Sequence, residues 1–101
     1  LTSHSIECGE VVLNLNDTSV AVRGEKIDLT KNEFLILKTL MEKQRKVVSR
    51  EEIMERLWGN DEFVDDNTLT VNITRIRKKL EAAGVDDFIT TKRGLGYLVG
   101  V

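Results

Sequence analysis

The chain has no proline, one cysteine and one histidine, and only 5% of its 101 residues are aromatic. Cys8 has no second cysteine to pair with, and a lone thiol suits a reducing compartment, the cytoplasm, better than an oxidising one. It alternates with Ile6 as a small half-buried residue and is assigned no chemistry. His4 is the sole histidine and falls in a lead-in expected to be disordered, so neither a zinc cluster nor a histidine-based catalytic pair can be assembled. No metal, cofactor or enzymatic activity is expected. No apolar run approaches the roughly 18 residues that span a bilayer, so no membrane partner is expected either. Internal repeats and low-complexity segments are also missing. The opening LTSHSIEC lacks an initiator Met and a basic segment followed by an apolar run, so it reads as a cut-out fragment with something before Leu1. Residues 1–5 read as a linker remnant and 6–101 as one domain.

What remains is globular composition, 41% hydrophobic and 32% charged, in a chain long enough to bury a core without disulfides or a structural metal. The net charge of −2 argues against nucleic acid only as a total. Residues 1–66 hold 9 Lys and Arg against 14 Asp and Glu, or −5, whereas residues 67–101 hold 6 against 3, or +3. The cationic end is where an anionic partner would bind.

Apolar and polar residues alternate through Val11, Leu13 and Leu15, then Val20 and Val22, then Ile27 and Leu29, with turn residues Asn16-Asp17-Thr18 and Arg23-Gly24 between the runs. This pattern predicts an antiparallel meander. The period then becomes helical in LTKNEFLILKTLMEKQRK, with Phe34, Leu37, Leu40 and Met41 on one face and Thr30 and Glu33 as a capping box, so a helix starts at about Thr30. After the apolar pair Val47-Val48, Ser49 and Glu52 form a second capping box before Ile53, Met54 and Leu57, and a shorter helix follows. Residues 58–66, WGNDEFVDD, read as a loop. In DNTLTVNITRIRKKLEAAG, Leu69, Ile73, Ile76 and Leu80 make a core stripe and Gly84 a C-terminal stop. Phe88 to Thr91 and Tyr97 to Val99 are β-prone runs around Lys92-Arg93-Gly94-Leu95-Gly96, which predicts a hairpin with a basic tip.

With that stripe turned inward, the third helix is expected to present Thr68, Val71, Asn72, Arg75 and Lys79. These groups suit a major groove: arginine donates twice to guanine, asparagine brackets adenine, and a valine methyl meets the methyl of thymine. Arg75 is the best single base reader. Thr68 at the helix start suits a phosphate oxygen, and Arg77, Lys78 and Lys79 can flank the backbone. Lys92 and Arg93 at the hairpin tip are placed for a neighbouring minor groove, whose narrow width concentrates negative potential. The same charges would also serve simply to solvate a helix face and a turn. Trp58, the only tryptophan, has a ring that can pack inward and an indole N–H that can reach a phosphate.

The motifs LTKNEFLIL with VVSREEIMERLW, then DNTLTVNITRIRKKL, then ITTKRGLGYLV resemble, in order and spacing, the OmpR/PhoB family of winged-helix response-regulator effector domains, from about Ile6 to Val101. Arg93-Gly94-Leu95-Gly96-Tyr97 matches the family's wing signature R-G-x-G-Y, and Val71 to Lys78 its recognition helix. The resemblance implies an α+β winged helix-turn-helix: an N-terminal four-stranded antiparallel sheet, a three-helix core and a C-terminal β-hairpin wing. By position it implies that Thr68, Val71, Asn72 and Arg75 face the major groove of double-stranded DNA, that Arg93 reaches the minor groove, and that Trp58 and Thr91 lie near phosphates. It further implies promoter direct repeats bound by two protomers head to tail, and RNA polymerase touched through the 58–66 loop. Phosphorylation control would lie in a receiver outside this chain. Asn67 and Thr74 stand where the family often has arginine, which removes possible contacts. The DNTLTVN stretch is similar to the subgroup that answers cell-envelope stress and antimicrobial peptides. The expected function is sequence-specific DNA binding in two-component transcription control; the alternative from another class is a winged helix used only for protein contacts, favoured by the acidic front two-thirds.

Overall fold

A computed structural model of the protein describes residues 5–57 and 66–100. Four strands, β1 (Ser5–Cys8), β2 (Val11–Asn14), β3 (Ser19–Val22) and β4 (Glu25–Asp28), pair antiparallel in chain order. Val11 opposes Val22 and Leu13 opposes Val20, and because side chains alternate along a strand these four lie on one face, each at most 1% exposed. The half-buried Val12 and Ala21 oppose one another on the other face. The meander is therefore as expected, with β1 added beside β2 through Ile6 opposite Leu13 and Cys8 opposite Val11.

Helix α1 (Lys31–Glu42) begins with the full predicted capping box. The Glu33 amide donates to Thr30 Oγ1 at 3.2 Å, and the Thr30 amide donates to Glu33 Oε1 at 3.0 Å. Its buried face is wider than the predicted stripe and includes Ile36, since β1, α2 and α3 all pack against α1. The second capping box, ahead of α2 (Arg50–Leu57), is half made. Ser49 Oγ accepts from the Glu52 amide at 3.1 Å, while the Glu52 carboxylate is drawn to Lys43.

Helix α3 (Asp66–Ala82) buries the predicted row, with Leu69, Ile73, Ile76 and Leu80 all at most 2% exposed. Such burial stabilises by roughly 1.5–3 kcal/mol per side chain relative to exposure. The helix ends as a Schellman motif: the Val85 amide donates to the Leu80 carbonyl at 2.9 Å and the Gly84 amide to the Glu81 carbonyl at 3.0 Å, with Gly84 at φ +99°. The wing follows as β5 (Thr90–Lys92) and β6 (Gly96–Leu98). It starts later than the β-prone run, because Ile89 is given to the core at 2% exposure. Val48, between α1 and α2, extends the wing: its amide donates to the Tyr97 carbonyl at 2.8 Å and its carbonyl accepts from the Tyr97 amide at 3.0 Å. Sheet, three helices and hairpin together make the winged helix.

Candidate nucleic-acid interface

At about 100° per residue, the buried row of α3 centres between Ile76 and Leu80, and Val71 and Lys78 fall opposite it. Val71 is 39% exposed, and Asn67, Thr74, Arg75 and Lys78 are exposed around it. Thr74 lies on one side of this outward face and Arg75 on the other. Of the six cations in residues 67–101, Arg75, Lys78, Lys92 and Arg93 are exposed and make no ion pair among the described residues. A cation held out in water without a partner is what a polyphosphate backbone or a guanine edge recruits.

Three residues expected to contact DNA are turned or bonded elsewhere. Asn72 is only 5% exposed, and its Nδ2 donates to the Thr68 carbonyl at 2.9 Å. Four residues before Ile76, it lies on the flank of the core row, and a short amide there bonds back to its own helix. Lys79 is turned to the body of the domain. Its Nζ meets Glu33 Oε1 at 2.5 Å and the Asp28 carbonyl at 3.1 Å, because Glu33 is 1% exposed and a buried carboxylate demands a partner. Arg77 is turned the other way, to the wing. Its Nε and Nη2 donate to the Ile89 carbonyl at 3.2 and 2.9 Å, and Nη2 also donates to Thr91 Oγ1. Thr68 is half-buried in the first turn of α3. Trp58 lies outside the described residues, as does the 58–66 loop up to residue 65.

The wing tip is shaped by its sequence. The Leu95 amide donates to the Lys92 carbonyl at 2.9 Å, closing a turn with Gly94 at φ +73°. Thr91, Lys92 and Arg93 are exposed there, and Leu95 is 65% exposed. One functional neighbour was not legible beforehand: Arg50 at the start of α2. Its guanidinium donates to Tyr97 Oη and to Thr70 Oγ1, and lies 5.7 Å from the centre of the Tyr97 ring. It thus touches both α3 and the wing, and since neither partner is near it in sequence, no periodicity announces it.

A helix with a cationic outer face and a basic hairpin tied to its flank define a winged-helix domain of the kind that regulates transcription. The chain matches the family described as "Transcriptional regulatory protein, C terminal" over residues 24–99, and it belongs to that family, as an OmpR/PhoB-type effector domain of two-component response regulators rather than an enzyme. It is 54% identical over 91 residues to the sensory transduction protein BceR of Bacillus subtilis (strain 168), covering 90% of this chain and 39% of that protein. The chain thus spans about two-fifths of the length of that relative. The C-terminal domain of the nisin resistance regulator NsrR, described as a lantibiotic response regulator, superposes with a TM-score of 0.80 at 39% identity, covering 93% of this chain and 94% of that one. The Klebsiella pneumoniae RstA DNA-binding domain, solved in complex with the RstA box, gives a TM-score of 0.80 at 27% identity over 97% and 98%.

Proposed function

We propose that the chain binds duplex DNA sequence-specifically as the output domain of a cytoplasmic response regulator, with α3 in the major groove and the wing in the adjacent minor groove. The observation that carries this reading is the sorting of the six cations in residues 67–101: Lys79 is paired with Glu33 and Arg77 is bonded to the root of the wing, while Arg75, Lys78, Lys92 and Arg93 are held out on α3 and the wing. Arg75 donates to a guanine edge and Val71 meets a thymine methyl. Lys78, Thr68 and Thr91 take phosphates, and Arg93 with Lys92 enters the minor groove. Trp58 takes a phosphate on the strength of the family pattern alone. The likeness to RstA, solved with its box, supports the duplex as ligand. Two protomers lie head to tail on direct repeats, and the four acids of residues 58–66 suit a basic surface of RNA polymerase. The likeness to NsrR supports a regulon that answers antimicrobial peptides.

Fluorescence anisotropy with random duplex at low salt is the first test, followed by selection of bound sites from a randomised duplex library. Micromolar binding whose affinity falls with salt, and a recovered motif that repeats directly, are expected. No binding at micromolar protein would favour the reading in which the fold serves protein contacts only.

A further inference from the structure

Arg77 spends its guanidinium inside the domain. Two of its nitrogens converge on the carbonyl of Ile89, which is itself 2% exposed and immediately precedes β5, and Nη2 reaches Thr91 Oγ1 on that strand at 2.5 Å. This fork joins the middle of α3 to the root of the wing. A hydroxyl has one proton and accepts through its oxygen, so a Thr91 oxygen that accepts from Arg77 must aim its own proton elsewhere. Thr91 is exposed and donates to no group among the described residues, which leaves its proton available to an outside acceptor. A nearby guanidinium also strengthens the hydroxyl as a donor.

Resting on the DNA-binding reading, we infer that Arg77 is a positioning residue: it sets the wing against α3 and orients the Thr91 hydroxyl to donate to a DNA phosphate. Arg77 therefore acts through Thr91 and Arg93 rather than by touching DNA. A lysine cannot replace it, since an ammonium on a flexible stem lacks the planar fork that grips Ile89 and Thr91 together.

The test is a set of double-mutant cycles read by anisotropy on one selected duplex, with Arg77→Met and Arg77→Lys each combined with Thr91→Val, Arg93→Ala or Arg75→Ala. Both Arg77 variants should weaken binding by roughly three- to ten-fold. In either background the losses from Thr91→Val and Arg93→Ala should shrink to less than half of their wild-type size on a logarithmic scale, while the loss from Arg75→Ala stays whole. A merely structural role would not couple to the wing while sparing Arg75. Additive losses throughout, or an Arg77→Lys variant equal to wild type, would overturn the inference in favour of a direct phosphate contact. Should both Arg77 variants unfold, Thr91→Val alone decides. It leaves the Arg77 to Ile89 bonds in place and must weaken binding at least three-fold with an unchanged melting temperature; unaltered affinity would defeat the proposal. A wild-type chain that binds no duplex removes the DNA reading itself, an outcome distinct from failed coupling.

Discussion

Gly96 passes so close to Val48 that a β-carbon built on it would lie 2.0 Å from the Val48 carbonyl oxygen and 2.9 Å from Ser49 Cα. With φ at +148°, the position is closed to side chains twice over, by contact and by backbone conformation. The approach allows the paired bonds between Val48 and Tyr97 that hold the wing to the segment before α2. Gly96→Ala should therefore push β6 off that segment and destabilise the domain by about 2–4 kcal/mol. For a domain of this size that corresponds to a fall in melting temperature of roughly 10 °C or more. Calorimetry checks it, and a variant that melts with the wild type would contradict the geometry.

Arg75 stands on the outward face of α3 with no ion pair among the described residues, so removing it should leave the fold alone. Arg75→Ala is expected to melt within about 0.5 kcal/mol of wild type, as surface substitutions usually do. Binding to the selected site should weaken by about 1–3 kcal/mol with relaxed preference at one base pair, and binding to random duplex should change far less. Lys78→Ala should show the opposite pattern, a uniform loss across sequences with the salt slope reduced by roughly 0.9. Competition against single-base variants of the site separates the two; retained selectivity in Arg75→Ala would reassign the base contact.

How much of this was legible in the sequence depends on the reach of each signal. The core row of α3, the Thr30 and Glu33 cap, the turn at Arg23-Gly24 and the stop at Gly84 are set by neighbours within four residues, and periodicity finds such features. The fate of Lys79 depends on Glu33 and Asp28, 46 and 51 positions away, and that of Arg77 on Ile89 and Thr91, so charge alone read both as DNA contacts. Asn72 was misplaced for a different reason. A helix has flanks as well as an inside and an outside, and a polar residue on the flank can be buried when its own helix satisfies it. The role of Gly96 was half seen: glycine was expected, for a reversal, whereas its close approach to Val48 exists only in three dimensions.

Glu33 serves α1 and α3 together, since Oε1 accepts from the Thr30 amide and from Lys79 Nζ while the residue is 1% exposed. Glu33→Gln should keep the bond from the Thr30 amide and cost about 1 kcal/mol, whereas Glu33→Ala should lose both that half of the capping box and the pair with Lys79 and cost about 2–3 kcal/mol. Lys79→Met leaves a buried carboxylate with one fewer donor and should cost about 2 kcal/mol, yet be partly repaired by Glu33→Gln, with a coupling of roughly 1 kcal/mol. Denaturant titrations measure the cycle. The salt dependence of DNA binding should be the same in Lys79→Met as in wild type. A slope reduced by about 0.9 would return Lys79 to the interface.

Cys8 offers a test of the sheet. The residue is 5% exposed, and a β-carbon on Gly100 would lie 3.1 Å from its sulfur. Burial pushes the Cys8 thiol above its ordinary pKa, with the charge of Arg45 offsetting part of the rise. The folded state thus holds the thiol proton more tightly than the unfolded chain does. Its contribution is fully present below the unfolded thiol pKa and is lost as pH rises through the folded value. Between pH 7 and pH 10 the wild type should lose stability faster than Cys8→Ala, whose unfolding has no thiol to ionise, and urea titrations at several pH values give the two curves. Thiol reagents should label native Cys8 far more slowly than the unfolded chain, because the thiolate is both scarce and covered. Parallel pH curves, or labelling at the rate of an exposed thiol, would mean that β1 does not seal this edge of the core.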